Sequence, residues 1–228
     1  MTSFLRNRSP SLSWVVLVLL VIVILQGSVS YSTTFGALSR FIPGLADSPV
    51  AGGWIALRFV LIAAVMLFWL LTRTRHLLRA IIIANGFLTF GLFINMLSLL
   101  DVLSRLSSQA VESLLADVFL MMVTNILIFS IWYWIIDPPG IDETKRDDAP
   151  WDFLFPQRGA DLPHYESWAP RYTDYLYLAF TTSFAFSPTD TLPLTRRAKM
   201  LMMLQSTFSI ITLTGIAASA IGVLAGSK

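Results

Sequence analysis

Long apolar runs, almost free of charge, dominate this chain and leave it few ways to fold. They cover residues 12–26, 54–71, 80–100, 118–136 and 200–224, with a shorter sixth at 172–187. The longer runs hold roughly 15–25 residues, close to the ~20 an α-helix needs to cross a hydrocarbon core ~30 Å thick. In lipid a backbone must satisfy its own hydrogen bonds, so runs of this kind are helices. The expected fold is therefore all-α: a polytopic transmembrane helical bundle.

Composition narrows the function classes. Hydrophobic residues make up 55% of the 228 and charged residues 13%, against ~25% charged in a soluble domain. A net charge of +2, with no Lys/Arg cluster interleaved with aromatics, gives no reason to expect nucleic acid as a partner. Cysteine is absent, which removes disulfides, thiolate nucleophiles and Cys-based metal sites. His76 and His164 are the only histidines, and neither a metal nor a cofactor is expected. No Ser-His-Asp arrangement, HExxH pair or Walker-type glycine loop occurs. The carboxylates of 142–152 read as a solvated loop, and the chain is not expected to be an enzyme.

The N-terminus resembles a secretion signal, since Arg6 and Arg8 precede an apolar run and Ser28-Val29-Ser30 follows it. The run is Val/Ile/Leu-rich and long enough to span, so we read it as a retained first span. Residues 31–53 form an irregular loop. Trp54 then opens the second span at headgroup level, and Arg58, one turn in, is expected to snorkel back to the interface. Arg73, Arg75 and Arg79 fall within seven residues without an acid, which marks a cytoplasmic loop. Between the third and fourth spans, 101–117 shows apolar residues at three- and four-residue steps. That is an amphipathic helix on the surface, or an extension of the flanking spans. Trp132, Tyr133 and Trp134 read as an aromatic belt closing the fourth span.

Three regions follow: a four-helix membrane region (1–136), an acidic Pro/Trp-containing loop (137–171), and a module of short helix, turn and last transmembrane helix (172–228). The loop carries eight acids against four bases, and its Trp151, Phe153, Phe155 and Trp168 suggest a folded cap over one mouth of the bundle or a surface hairpin. As a helix, 172–187 measures ~24 Å. It is either a sixth span or a re-entrant half-helix, giving six helices or five plus a short re-entrant one. The positive-inside rule favours re-entry, because it keeps Arg196, Arg197 and Lys199 on the side of Arg73, Arg75 and Arg79. An even number of spans favours six helices, and we take six as the expectation.

Apart from Arg58, ionisable residues sit at the ends of the apolar runs, which argues against proton coupling. The polar groups within them are hydroxyls and amides. Thr124, Asn125, Thr181, Thr182, Ser183, Gln205, Ser206, Thr207, Ser209, Thr212, Thr214 and Ser219 suit helix packing first, with a pore lining or subunit interface as the sharper alternative. Asp174 opens the short helix, where a carboxylate offsets the helix dipole. Asp190 is placed to cap the last helix or to pair with Arg196 or Arg197.

Two resemblances rest on these residues. Tyr177, Ala179-Phe180-Thr181-Thr182, Phe186, Asp190 and Pro193 resemble the pore module of two-helix potassium-type channels, without the glycines of its filter: Ala185-Phe186-Ser187 stands there. Over roughly 118–224, Asp137-Pro138-Pro139-Gly140, Asp174–Phe180, Thr189-Asp190 and Arg196-Arg197 are similar to a bacterial multi-pass family catalogued as domain of unknown function 1345. That similarity implies a protein of the bacterial inner membrane and no established activity.

The leading expectation is passive ion conduction through an oligomeric pore. Thr181, Thr182, Ser183, Asp190, Gln205 and Thr212 would line it, and Asp174, Arg196 and Arg197 would shape the turn and interface. The partners would be the lipid bilayer, further copies of the chain and monovalent ions. One alternative is a non-conducting scaffold that binds a partner through 137–171. Another is a small-solute transporter with Asn85, Asn95 and Asn125 at a midplane cavity.

Overall fold

The computed structural model describes residues 9–29, 49–71, 74–103, 111–137, 151–159, 168–185 and 190–226. The long helices are α1 (Ser9–Ser28), α2 (Pro49–Leu70), α3 (Thr74–Leu103) and α4 (Val111–Ile136). A short strand β1 (Phe153–Leu154) and a single turn α5 (Pro156–Gly159) follow. Then come α6 (Tyr172–Ala185), β2 (Leu192–Pro193) and α7 (Arg196–Gly226). The chain is an all-α bundle. Three of its segments, His76–Asp101, Leu114–Ile136 and Arg196–Ala218, are long and apolar enough to cross a membrane. The apolar parts of α1 and α2, Leu12–Ser28 and Ala56–Leu70, are shorter. By length and composition this is a membrane protein.

The helix ends follow local chemistry. Pro138 and Pro139 cannot extend α4. At the start of α7, the Thr195 hydroxyl accepts from the Ala198 amide (3.3 Å), an N-cap bond that satisfies one of the open donors. At the start of α6, Asp174 Oδ2 accepts from the Arg171 amide (2.6 Å) and serves the same purpose. Of the amphipathic stretch expected at 101–117, the described parts extend α3 to Leu103 and begin α4 at Val111. Its middle, like most of the 31–53 loop, lies outside the described residues.

Helix α4 is the centre of the bundle, packing against α1, α3, α6 and α7. Val118, Met121, Ile128, Phe129, Ile131, Tyr133 and Trp134 are all buried along it. The aromatic-belt reading is therefore corrected. Tyr133 and Trp134 have no exposed surface, and Trp132 donates its indole N–H to Thr89 Oγ1 on α3 (2.8 Å). These rings point inward because the bundle surrounds α4.

Helices α3 and α7 both run antiparallel to α4. Near one end Arg197 of α7 bonds the Ile136 carbonyl (3.2 Å), and Trp132 of α4 bonds Thr89 of α3. Toward the other end Leu99 of α3 and Val118 of α4 both crowd Gly215 of α7. The N-termini of α3 and α7 thus share one end of the bundle with the C-terminus of α4, the end we call the mouth.

Helix α6 does not cross the bundle. Its fourteen residues measure ~21 Å, short of a ~30 Å core. Just before it, Trp168 packs on Phe155 (ring centroids 5.6 Å), and Phe155 packs edge-on to Tyr175 (5.6 Å). Seven residues past its end, with 186–189 outside the described residues, β2 pairs antiparallel with β1, Leu154 opposite Leu192 and Phe153 opposite Pro193. Both flanks of α6 therefore lie at the mouth, beside Asp137. The bundle therefore has five long helices and one short helix that does not traverse it.

Gly215 tests the α3/α4/α7 packing. A Cβ there would sit 3.2 Å from both Leu99 Cδ2 and Val118 Cγ2. Gly215→Val is expected to cost about 1–3 kcal/mol of overpacking strain. Gly27 has nothing within 4 Å of the same position, and Gly27→Ala should stabilise α1 by roughly 0.5–1 kcal/mol. Thermal unfolding of the detergent-solubilised variants reads both signs.

Candidate functional site

The site is built where α4 ends. Asp137, the first residue past α4, is fully buried. Its Oδ1 accepts from the amides of Asp152 (3.1 Å) and Phe153 (3.3 Å). Its Oδ2 accepts from Tyr175 Oη on α6 (2.5 Å) and pairs with Arg158 Nη1 on α5 (3.0 Å). The side chains of Asp137 and Arg158 are both fully buried. The guanidinium carbon of Arg158 also lies 5.0 Å from the Trp151 ring centroid and 5.7 Å from that of Phe155, within cation–π range.

A second carboxylate continues the latch. Asp152, also fully buried, accepts from Thr195 Oγ1 and from both Nε and Nη2 of Arg197. The Asp152 carbonyl accepts from the Leu194 amide (2.9 Å). The described part of the acidic loop is thus the folded cap expected from its aromatics, fastened to the first turns of α6 and α7. Nearby, Asp174 is half-buried. Burial pushes its carboxyl above the usual range, against the Arg171 amide bond and the Arg171 charge.

Below the mouth, Gln205 ties three elements together. Its Nε2 donates to the Ala179 carbonyl (2.7 Å) and to Ser183 Oγ (2.8 Å), both on α6. Its Oε1 accepts from Tyr133 Oη on α4. Asn125 of α4 donates to Ser209 Oγ (2.9 Å) and to the Gln205 carbonyl (3.4 Å) on α7. Tyr172 and Ser130 share a bond of 2.6 Å. Gln205 is eight residues beyond Arg197, a helical rise of ~12 Å, so α6 reaches well below the mouth.

This geometry sorts the expected lining residues. Thr182, Ser183, Gln205 and Thr212 are at most 2% exposed in the single chain. Thr182 bonds the Leu178 carbonyl (2.7 Å), and Thr212 bonds the carbonyls of Phe208 and Ser209 (3.1 and 2.9 Å). The Thr182 and Thr212 hydroxyls are thus spent on carbonyls of their own helices, while Gln205 and Ser183 join α7 to α6. Thr181 is half-buried with its hydroxyl on the Tyr177 and Leu178 carbonyls. Asp190 is exposed and accepts from Thr191 Oγ1 (3.3 Å). Of the alternatives for Asp190, the pairing with Arg197 is taken by Asp152 from the cap, and Thr195 supplies the N-cap bond of α7. Arg196 is exposed at the start of α7. Of the three asparagines, Asn85 donates to the Ile128 carbonyl (3.2 Å) and Asn125 bridges to α7, so both serve helix packing.

Arg58 is also corrected. Instead of snorkelling, it is 5% exposed, and its Nη1 donates to the Gln26 carbonyl (3.3 Å). Helix α2 begins at Pro49, five residues before the expected Trp54, so Arg58 is its tenth residue and lies deeper than its distance from Trp54 suggests.

Sequence reasoning missed Asp137, Asp152 and Gln26. Both carboxylates looked like ordinary loop charges. A signal for Asp137 was its place between an apolar run and Pro138-Pro139, beside its part in the Asp137–Gly140 block of the family resemblance. Among the described residues no group of three His, Cys, Asp or Glu side chains is arranged to hold a metal ion. No family model, curated protein or solved structure matches the chain.

Removing one partner of a buried pair strands the other. Asp137→Ala is expected to destabilise by about 3–5 kcal/mol. The Arg197 side chain is 58% exposed, so Arg197→Ala should cost ~1 kcal/mol or less for its ion pair. Thermal unfolding in detergent of the single and double variants checks this ordering.

Proposed function

We propose that the chain is a multi-pass protein of the bacterial inner membrane whose α6–α7 module contributes to an oligomeric pore for monovalent ions. The reading is supported by α6 leaving the mouth without traversing the bundle and by β2 lying again at the mouth. An outer helix (α4), a half-helix leaving the mouth, a return to that mouth and an inner helix (α7) follow in the order of a pore-loop module. Non-helical backbone at membrane depth is tolerated where protein or water surrounds it. A water-filled axis between copies meets that condition.

The lining on this reading differs from the one read off the sequence. An oligomer axis is built from groups that a single copy leaves exposed. Asp190, Thr207 and Thr214 are exposed. The last two fall on one stripe of α7 with Met200, Met203, Ile210, Ala217 and Ile221, at alternating steps of three and four residues. They are the lining candidates, with Thr181 beside them, while Ser183 and Gln205 fix α6 against α7 from behind and Thr182 and Thr212 are buried. Without glycines at 185–187 the reading implies no potassium-type filter.

The alternative is a non-conducting scaffold, favoured by one observation: most of the polar groups between α4, α6 and α7 are already bonded within the chain. On that reading a partner binds the acidic loop.

Reconstituted protein should pass monovalent cations faster than empty liposomes. Thr207→Trp and Thr214→Trp should block that flux while leaving thermal stability within about 1 kcal/mol, as is usual for surface positions. Absence of flux from the folded wild type rejects the pore. Loss of a co-purifying partner on deleting 141–149, with the bundle still folded, would then favour the scaffold.

A further inference from the structure

A second polar cluster lies apart from the α6–α7 module, between α1, α2 and α3. Its floor is Gly91 of α3, fifteen residues past His76 and ten before Asp101 in the membrane-length segment, hence near mid-depth. A Cβ at Gly91 would stand 3.2 Å from Gln26 Oε1 and 3.4 Å from Arg58 Nη2. The glycine makes room for both head groups. Gln26 Nε2 donates to the Leu88 carbonyl (2.8 Å). Its Oε1 is buried and makes no hydrogen bond.

Asn95 is four residues beyond Gly91 on the same face of α3. Residues so spaced on a helix stand ~6 Å apart, and the side chain of the later one leans toward the helix N-terminus, here toward Gly91. Asn95 is 1% exposed, yet neither Nδ2 nor Oδ1 has a hydrogen-bond partner. An amide buried in this state is rare, because each unmet group carries its full desolvation cost. The two other mid-helix asparagines, Asn85 and Asn125, each donate to a neighbouring helix.

We propose that Asn95, Gln26 and Arg58 line an internal hydrated site, and that its occupant is water. Water donates to Gln26 Oε1 and Asn95 Oδ1 and accepts from Asn95 Nδ2, which one small molecule of fixed polarity does not. Buried polar groups of this kind ordinarily hold ordered water through two to four bonds. Water there also accounts for a guanidinium at this depth, since ionisable groups inside membranes face a bundle interior or a wet cavity. The site is separate from the pore reading and stands or falls without it.

The sign of one substitution decides. If the site is dry, Asn95→Leu replaces two unmet polar atoms by a methyl pair of similar size and raises the unfolding temperature. If it is wet, the same change strips water from Gln26 and Arg58 and lowers it, while Asn95→Ser, which keeps a hydroxyl for the water, falls less. We expect a drop for Leu and partial recovery for Ser. A rise for Asn95→Leu overturns the proposal. Water-edited solid-state NMR of the unmodified protein in lipid gives an independent reading. Magnetisation from water should reach the Asn95 side-chain amide well before the methyls of Leu92, which is fully buried. Equal build-up at the two overturns the proposal without any variant.

Discussion

The Asp137 carboxylate organises the mouth of this protein. It closes α4, carries the backbone of the cap on one oxygen, and takes a tyrosine of α6 and an arginine of α5 on the other. A buried carboxylate is tolerable only when its lone pairs are filled, and here four donors from three segments fill them. The converse matters as much. The loop that follows α4 has little apolar area of its own with which to fold. It folds because Asp137 offers two amides and a guanidinium a place to bond, and because Phe153 and Phe155 insert beside Tyr133 and Tyr175. Asp152 passes the same logic on to α7 through Arg197 and Thr195.

Once the mouth is fixed, the position of α6 follows. Its N-terminal turn is held at the mouth by Tyr175 on Asp137, so its fourteen residues run down the bundle without traversing it. What keeps it against the bundle is Gln205, which bonds a main-chain oxygen and a hydroxyl of α6 while receiving Tyr133. Such bonds are individually modest, near ~0.6 kcal/mol on average between membrane helices. Their value here is directional: apolar contact alone would let a half-helix rotate, and an amide with both ends engaged does not. The thin, hydroxyl-bearing face of α7 that suggested a wet path is, at Gln205 and Ser209, the joint between helices.

The long elements were legible in the sequence because lipid leaves a single solution for a charge-free run. The run at 80–100 sits inside α3, and that at 118–136 inside α4, each helix extending a few residues past its run. The course of α6 was legible in part. Its length left both a full span and a half-helix open, and the fourteen residues it forms are too few to traverse the bundle. The partners of the charges were not legible. Asp152 and Arg197 are forty-five residues apart, and nothing local distinguishes Asp152 from the other acids of its loop. Asp190, the nearer candidate, lost Arg197 because the cap brings a buried carboxylate closer.

Arg58 shows how a boundary error becomes a chemical one. Placed one turn from an interfacial Trp54, it is an ordinary snorkelling arginine. Placed ten residues into a helix that begins at Pro49, it has no short route to the interface, and its head group must be met inside. The chain meets it with a main-chain oxygen at Gln26 and with the absence of a side chain at Gly91. Both provisions make sense only for a charge that stays in. Gly91 in particular would otherwise be a poor residue for the middle of a long helix, costing roughly 0.5–1 kcal/mol relative to alanine. The cost is offset by the space it leaves for two polar heads, so the glycine and the arginine are parts of one arrangement.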